Sequence, residues 1–110
     1  MDVGDLVLKF VADTLVKNIR PFDLVGRWGG EEFIGIIRNT NEKNLQELGN
    51  RLRMLVEKSY IILADNKLNV SISIGATIVR GDDDINTIIK RADELLYQSK
   101  RTGRNRLTVG

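Results

Sequence analysis

A pair of adjacent glycines between two apolar segments is the feature that most constrains the fold. Gly29 and Gly30 lie between residues 24–25 and residues 33–37, and both flanking segments are rich in strand-forming residues. Glycine adopts positive φ without steric cost, as a two-residue hairpin turn requires. The pattern therefore predicts an antiparallel hairpin, formed by residues 22–28 and 33–37, with the glycine pair at its tip.

Two carboxylates, Glu31 and Glu32, follow the glycines directly. Because glycine has no side chain, a phosphate can approach the backbone N–H groups of the turn, and a nearby carboxylate can hold Mg²⁺. Successive strand residues point to opposite faces, so the two glutamates cannot both meet one ligand if both lie in regular strand. From these residues alone, a simple hairpin with two solvated glutamates is the commoner interpretation.

The composition narrows the class of protein. A length of 110 residues with 42% hydrophobic content fits one domain with a modest core. Without cysteine or histidine, the chain has no disulfide framework, no thiolate metal site and no histidine general base. The net charge of +2 is too small to indicate nucleic-acid binding. No apolar run approaches a membrane span and no signal peptide is visible. The lack of cysteine suits a reducing compartment, and we expect a cytoplasmic location.

Apolar residues at three- and four-residue spacing predict three amphipathic helices. The first covers residues 5–20 and is capped by Asp2 or Asp5. The second covers residues 45–58 and follows a loop with capping residues at 39–41. The third runs from Ile85 and is ended by Gly103. Residues 65–67 predict a turn. Alternating apolar residues then predict a half-buried strand over residues 68–75, and residues 77–79 extend it. Leu107 and Val109 predict an edge strand. The acidic run at 82–84 indicates a helix cap rather than a metal site.

Several stretches in a fixed order resemble one known family. Residues 27–33 (RWGGEEF) resemble the signature of the GGDEF family, the diguanylate cyclase domains, in its GGEEF form. Residues 4–5 (GD), 20–23 (RPFD), 70–75 (VSISIG) and 92–105 (ADELLYQSKRTGRN) resemble further family motifs in the same order. The resemblance covers essentially the whole chain, and the number of ordered motifs makes it specific.

The resemblance implies an α/β fold of the α+β kind. This is a nucleotide cyclase-like palm, in which helices flank an antiparallel-rich central sheet. It also implies an earlier portion with the first central strand, which carries a metal-binding aspartate, a lysine for phosphate and an asparagine for guanine. Met1 stands where the family has a histidine. We therefore expect residues 1–110 to be a single partial GGDEF domain that makes no product alone, and whose sheet closes the gap, borrows a strand or pairs between chains.

The same resemblance implies the parts of an active site. Two domains face each other, each with one GTP and two Mg²⁺, and together they make cyclic di-GMP and pyrophosphate. Glu31 is then the metal ligand and candidate base, with Glu32 secondary, Gly29 and Gly30 admit the phosphates, Asp5 reads guanine, and Lys100 and Arg104 hold the phosphates. From position alone, Asp5 is a helix cap, and the two cations complement a helix end.

The resemblance also implies a site where the product inhibits the enzyme. Arg20 and Asp23 match the family's R-x-x-D motif, and Arg51 falls where some members carry a second arginine. Arginine forks onto guanine acceptors or phosphate, and aspartate accepts from guanine N–H groups. The alternatives are a helix-terminal arginine with a turn aspartate, and a solvated helix face for Arg51.

Three functions follow from these observations. The first is a diguanylate cyclase, acting as a homodimer on GTP, with cyclic di-GMP as product and inhibitor. The second is a module that binds cyclic di-GMP or GTP without catalysis. The third is a structural or dimerising remnant. None of them uses nucleic acid or a membrane segment of this chain.

Overall fold

The computed structural model describes residues 2–110, in which three helices alternate with six short strands. The elements are α1 (Val3–Lys17), β1 (Leu24–Gly29), β2 (Glu32–Ile36), α2 (Glu42–Lys58), β3 (Ile61–Leu63), β4 (Asn66–Leu68), β5 (Ile74–Ala76), α3 (Ile85–Arg101) and β6 (Leu107–Val109). Met1, at the position of the family's histidine, lies outside the described residues. The mixture of helices and strands confirms the predicted fold class.

The strands form three separate two-stranded ladders within residues 2–110. The β1–β2 and β3–β4 pairs are antiparallel, whereas β5 and β6 are parallel. The antiparallel majority agrees with the resemblance. The single hydrogen-bonded sheet that the resemblance implies is present in this part of the chain only as these three pairs.

The three predicted helices are present, but α1 begins two residues before and ends three residues before its predicted bounds, and α2 begins three residues earlier than predicted. Asp2, not Asp5, caps α1: its Oδ1 accepts the N–H of Asp5 at 2.8 Å. The helix ends at Lys17, short of the predicted Arg20, because the N–H of Asn18 closes the last turn on the carbonyl of Leu15. Asp84 caps α3 as predicted, through a capping box with Thr87. No helix within residues 2–110 is long and apolar enough to cross a bilayer.

The predicted strand over residues 68–75 is wrong in its extent. Asn66 and Lys67 lie in β4 rather than in a turn, because Ala64 and Asp65 form the tip with φ of +49° and +66°. Residues 69–73 form no strand, and β5 ends at Ala76, so residues 77–79 do not extend it. The alternation instead reflects burial, since Val70 and Ile72 pack against the core without pairing in a ladder.

The main core lies between α1, α2 and the β1–β2 hairpin. Its buried side chains are Val11 and Leu15 of α1 and Leu52 and Val56 of α2. Partly buried side chains complete it, including Val25 and Phe33 of the hairpin, Leu48 of α2, and Val70 and Ile72. Each fully buried aliphatic side chain contributes about 1.5–3 kcal/mol. This packing fixes the hairpin against the two helices that precede and follow it.

The parallel β5–β6 pair lies between α2 and α3. Leu107 of β6 packs on Gly49 of α2, whereas the neighbouring Thr108 shares a 2.7 Å hydrogen bond with the fully buried Ser99 of α3. Successive strand residues point to opposite faces, so the two helices cover opposite sides of the pair. At Gly75, a Cβ would lie only 2.2 Å from the N atom of Leu96, so α3 rests directly on the strand backbone.

Candidate functional site

The turn of the β1–β2 hairpin consists of Gly30 and Glu31, one residue later than predicted. Gly29 is the last residue of β1 and pairs with Glu32, while Gly30 adopts a φ of +54°. The register shifts between Arg27 and Gly29, so the intervening Trp28 has no pairing partner. This one-residue bulge moves the turn along the chain. Glu31 therefore lies at the exposed tip and Glu32 at the start of a strand.

The backbone of this turn is open to a ligand. A Cβ placed on Gly29 or Gly30 would meet no atom within 4 Å. The Arg27 guanidinium donates a hydrogen bond to the carbonyl of Gly30 across the turn. The geometry is thus compatible with the predicted approach of a phosphate to this backbone.

A cation from α3 reaches the turn. Lys100 Nζ lies 3.8 Å from Glu32 Oε1, and the two side chains are 32% and 38% exposed. Lys100 belongs to the last turn of α3, whose direction is set by the contact with β5. Two predicted site residues that are far apart in sequence are thereby brought together, with Glu32 rather than Glu31 as the ion-pair partner.

Arg104 lies in the loop that follows α3, and its side chain is exposed. Its N–H donates to the carbonyl of Ser99 at 2.9 Å, and its φ is +59°. Gly103 begins this loop with a φ of +136°, as expected for a glycine that ends a helix. The position of Arg104 is therefore set by backbone contacts, which leave its guanidinium at the surface.

Asp5 lies in the first turn of α1 with an exposed side chain. Because Asp2 caps the helix, the carboxylate of Asp5 is released from that role. Within residues 2–110, no ion pair joins Asp5 to the hairpin turn or to Lys100. Its predicted contact with guanine stays a prediction.

Arg20 and Asp23 form an internal ion pair. Arg20 Nε and Nη2 fork onto the two carboxylate oxygens of Asp23 at 2.9 and 3.2 Å. The backbone N–H groups of Arg20 and Arg38 donate to the same carboxylate at 3.2 and 3.0 Å. A carboxylate offers about four acceptor positions, so these four donors occupy all of them. In this arrangement Asp23 orients Arg20, and Arg20 presents the surface that a ligand would meet. The predicted acceptance of guanine N–H groups by Asp23 stays a prediction, and it requires that one of these four donors leaves the carboxylate.

The surroundings of Asp23 favour its ionised form. The hydrogen bonds from the Arg20 guanidinium are the main cause that lowers the pKa of Asp23 below its ordinary value, and the backbone N–H groups of Arg38 and Arg20 add to them. Burial acts in the opposite direction, since the side chain has 0% exposure. The carboxylate therefore remains charged and holds the guanidinium across the neutral pH range.

Arg51 reaches the same region from α2. Its Nη2 donates to the carbonyl of Asn18 at 3.2 Å, beyond the end of α1. Arg20, Asp23 and Arg51 line one cleft of about 520 Å³, together with polar and apolar residues of α1, α2 and the adjoining loops. Arg20 also stacks on the ring of Phe22, 4.7 Å from its centroid. The three residues predicted for product inhibition therefore share one surface.

Comparison with known proteins decides the family. A family model described as "Diguanylate cyclase, GGDEF domain" matches residues 1–106. The chain belongs to the GGDEF family. The GGDEF motif, in this chain GGEEF, runs from Gly29 to Phe33 and contains the hairpin turn described above.

Individual GGDEF proteins support the assignment. The chain is 40% identical over 107 residues to diguanylate cyclase A of Treponema denticola, covering 96% of this chain and 29% of that relative. It matches the diguanylate cyclase SiaD of Pseudomonas aeruginosa, solved with its activator SiaC, with a TM-score of 0.91 and 31% identity, covering 96% of this chain and 41% of that one. It also matches the GGDEF domain of DgcB from Caulobacter crescentus, solved with c-di-GMP, with a TM-score of 0.90 and 27% identity. This match covers 96% of this chain and 63% of the DgcB chain.

Some polar contacts between side chains were not predicted from the sequence. Arg53 of α2 bonds to Glu57 at 3.0 Å and to Asn105 at 3.2 Å. The four-residue spacing of Arg53 and Glu57 was a usable signal for their ion pair. Arg91 forks onto Asp83, and this contact, with the N–H of Arg80, holds the pKa of Asp83 far below its ordinary value. Nothing local in the sequence joins Asn105 or Arg91 to its partner.

Proposed function

We propose that the whole protein containing this chain is a diguanylate cyclase, which condenses two GTP molecules into cyclic di-GMP. The observation that supports this most is the 3.8 Å approach of Lys100 to Glu32 beside the open backbone of the glycine turn. A nucleoside triphosphate needs this combination, because cations hold its phosphates while carboxylates hold the accompanying metal ion.

The chain's own residues divide the work of substrate binding. Gly29 and Gly30 leave the turn backbone open to phosphate oxygens, and Lys100 and Arg104 supply positive charge. Asp5 accepts hydrogen bonds from the guanine edge, which offers adjacent N–H donors. Because Arg104 is exposed and its backbone is held, its side chain can reorient onto a phosphate at little cost to the fold.

The reaction joins two nucleotides head to tail. In each half, the 3′-hydroxyl oxygen of one GTP forms a bond to the α-phosphorus of the other, and the bond from that phosphorus to the bridging oxygen breaks. Pyrophosphate leaves, and Glu31 accepts the hydroxyl proton. Because both halves need the same groups, the working form is a homodimer with two facing turns. GTP is a cytoplasmic substrate, so we place the protein in the cytoplasm.

The carboxylates at the turn fit a magnesium ion. Glu31 is exposed and Glu32 is only loosely paired, and carboxylate oxygens are ligands that Mg²⁺ prefers. Within residues 2–110, no three acidic side chains are grouped so that they could hold a metal ion by themselves. Mg²⁺ commonly takes one or two carboxylates and completes its shell with phosphate oxygens. Glu31 would be the first ligand and Glu32 the second, in a site that holds two ions by family expectation. Once bound, Mg²⁺ neutralises charge on the phosphates.

Replacing Glu31 tests this function. In the whole protein, Glu31→Ala should abolish Mg²⁺-dependent formation of cyclic di-GMP, measured by chromatography, because it removes both the metal ligand and the base. Its melting temperature should stay unchanged, since Glu31 lies at an exposed tip. Glu47→Ala, at an exposed position of α2, is the matched control and should keep full activity. Undiminished turnover of the Glu31→Ala protein would contradict the role given to this residue.

The cleft of Arg20, Asp23 and Arg51 supports a second candidate, a cyclic di-GMP-binding module without catalysis. Separate calorimetric titrations with cyclic di-GMP and GTP, combined with the product assay, distinguish the candidates. Product formation indicates the cyclase, and binding without turnover indicates the module. Neither binding nor turnover indicates a structural or dimerising role. The same assay on the 110-residue chain tests the expectation that it makes no product alone.

A further inference from the structure

The loop after α3 holds Arg104 from both sides while leaving its side chain at the surface. On the N-terminal side, the N–H of Arg104 is bonded to the carbonyl of Ser99. On the C-terminal side, the next residue, Asn105, is anchored by its own backbone and side chain. Consecutive Cα atoms are about 3.8 Å apart, so an anchor at Asn105 also fixes the backbone of Arg104.

Asn105 makes three contacts with other parts of the chain. Its side-chain nitrogen donates to Glu57 Oε2 at 3.0 Å, and its side-chain oxygen accepts from Arg53 Nη1 at 3.2 Å. Its backbone N–H donates to Ser73 Oγ at 3.2 Å. Arg53 and Glu57 also form an ion pair with each other at 3.0 Å, so the Asn105 side-chain amide is hydrogen-bonded to both members of an ion pair on α2. We call these three side chains, Arg53, Glu57 and Asn105, the α2 clamp.

The backbone conformation of the loop explains why an anchor matters. Arg104 and Asn105 adopt φ values of +59° and +46°, in the left-handed region that L-residues seldom occupy. Asparagine tolerates this region, whereas arginine has no such preference. A strained residue persists only where its surroundings hold it. The α2 clamp and the Ser99 carbonyl supply that support on the two sides of Arg104.

We propose that Asn105 is a positioning residue for the phosphate-binding cation Arg104, and that it acts through the α2 clamp. This inference rests on the proposed function, in which Arg104 holds GTP phosphates. Without the Asn105 side chain, the loop loses both of its side-chain bonds to α2 and Arg104 samples other positions. A cation whose backbone must first be ordered contributes less to binding than one whose backbone is already held.

The α2 clamp lies apart from the cleft of Arg20, Asp23 and Arg51. Arg51 and Arg53 are two residues apart on α2, which corresponds to about 200° around a helix with 3.6 residues per turn. Arg51 contacts the end of α1, whereas Arg53 contacts the loop after α3. A change in the clamp should therefore leave cyclic di-GMP affinity unaltered, and this separates positioning from general damage to the fold.

The test compares Asn105→Gly, Arg104→Ala and the double variant in the whole protein. Glycine removes the side chain but accepts the positive φ, so the backbone is not strained further. The measurement is the affinity for a non-hydrolysable GTP analogue with Mg²⁺, by calorimetry. Arg104→Ala should weaken binding by about tenfold, as expected for one charge-assisted contact. Asn105→Gly should approach the same loss, and the double variant should be no weaker than Arg104→Ala alone.

A substitution at another residue with positive φ controls for the effect of glycine itself. Asp65→Gly, at a φ of +66° in the β3–β4 turn, is the matched control and should bind normally. All variants should keep their cyclic di-GMP affinity. Normal GTP-analogue binding by Asn105→Gly, or losses that multiply in the double variant, would overturn the positioning role alone. A wild-type protein that binds no GTP analogue would refute the GTP site, and the inference with it.

Discussion

Two ion pairs of this GGDEF chain each join a basic side chain to a carboxylate, but the carboxylate is buried in one pair and partly exposed in the other. Arg20 and Asp23 are joined by a fork at 2.9 and 3.2 Å, and the buried carboxylate accepts two further backbone N–H groups. Lys100 and Glu32 approach only to 3.8 Å, and each side chain is about a third exposed. The first pair is satisfied by its own chain, whereas the second keeps donors and acceptors free for other partners.

This difference suggests different ways of binding a ligand. At the cleft, the aspartate has no acceptor position left, so it holds the arginine in one orientation before any ligand arrives. At the turn, a weak surface pair can separate at little cost, and each ion can exchange its partner for a phosphate or a metal ion. A preformed cleft favours recognition of a finished product, and an open pair favours a substrate that brings its own charges.

The largest effect on ligand binding is expected from Arg20. Arg20→Ala should weaken cyclic di-GMP binding by about ten- to a hundredfold, because the guanidinium that Asp23 holds at the cleft, and its charge-assisted contact with the ligand, are lost. Affinity for a GTP analogue should not change, since the turn is a separate site. Calorimetric titration of both ligands measures the two effects.

Two further variants separate geometry from charge at this position. Arg20→Lys keeps the charge but loses the planar fork, so it should bind nearly as weakly as Arg20→Ala. Arg80→Ala removes an exposed arginine outside the cleft and should bind normally. Unchanged cyclic di-GMP affinity in the Arg20→Ala protein would show that this cleft is not the binding site.

A smaller effect, on stability rather than on binding chemistry, is expected from Asp23→Asn. The amide cannot satisfy four N–H donors, so the melting temperature at neutral pH should fall by several degrees. The folded-state pKa of Asp23 lies below the unfolded value, which is about 3.9. Its stabilising contribution is therefore complete above that value and is lost as the pH falls through the lowered pKa.

A pH series of thermal melts checks the sign of this effect. The gap between wild type and Asp23→Asn should be widest near neutral pH and should narrow as the pH falls below about 4. Asp83 titrates in the same direction but is present in both proteins, so the difference between them isolates Asp23. A gap that stays constant down to strong acid would contradict the assigned pairing.

The smallest effect on stability is expected from Glu32→Gln. An exposed ion pair contributes less than about 1 kcal/mol, so the melting temperature should hardly change, and added salt should reduce the difference further. A loss as large as that of Asp23→Asn would show that the two pairs are alike and would remove the basis of the comparison.

The elements with a local signal were the ones that could be predicted from the sequence. The spacing of Leu45, Leu48, Leu52 and Leu55 located α2, and the glycine pair located the hairpin. The structure also brings Glu32 to Lys100 and places Arg20, Asp23 and Arg51 in one cleft, whereas the roles that the motifs imply for these residues, and the contact of Asp5 with guanine, stay predictions.

The remaining features depend on contacts between distant residues. Residues 69–73 have the alternation of a strand, but alternation reports only which side chains are buried and not whether the backbone has a partner. The shift of the turn to Gly30 and Glu31 depends on the unpaired Trp28, which no spacing rule indicates. The filling of all acceptor positions on Asp23 needs the backbone of Arg38, which approaches only when the hairpin folds back.

The contact between Gly75 and α3 has a consequence for how accurately Lys100 is placed. The backbones of β5 and α3 meet at Leu96, one helical turn before Lys100. With a rise of about 1.5 Å per residue, a tilt of about 5° around this contact would move the Cα of Lys100 by about 0.5 Å. The same tilt would move the Cα of Ile85, at the far end of the helix, by about 1.4 Å. A tilt of α3 therefore displaces the end that meets the hairpin turn less than it displaces the opposite end.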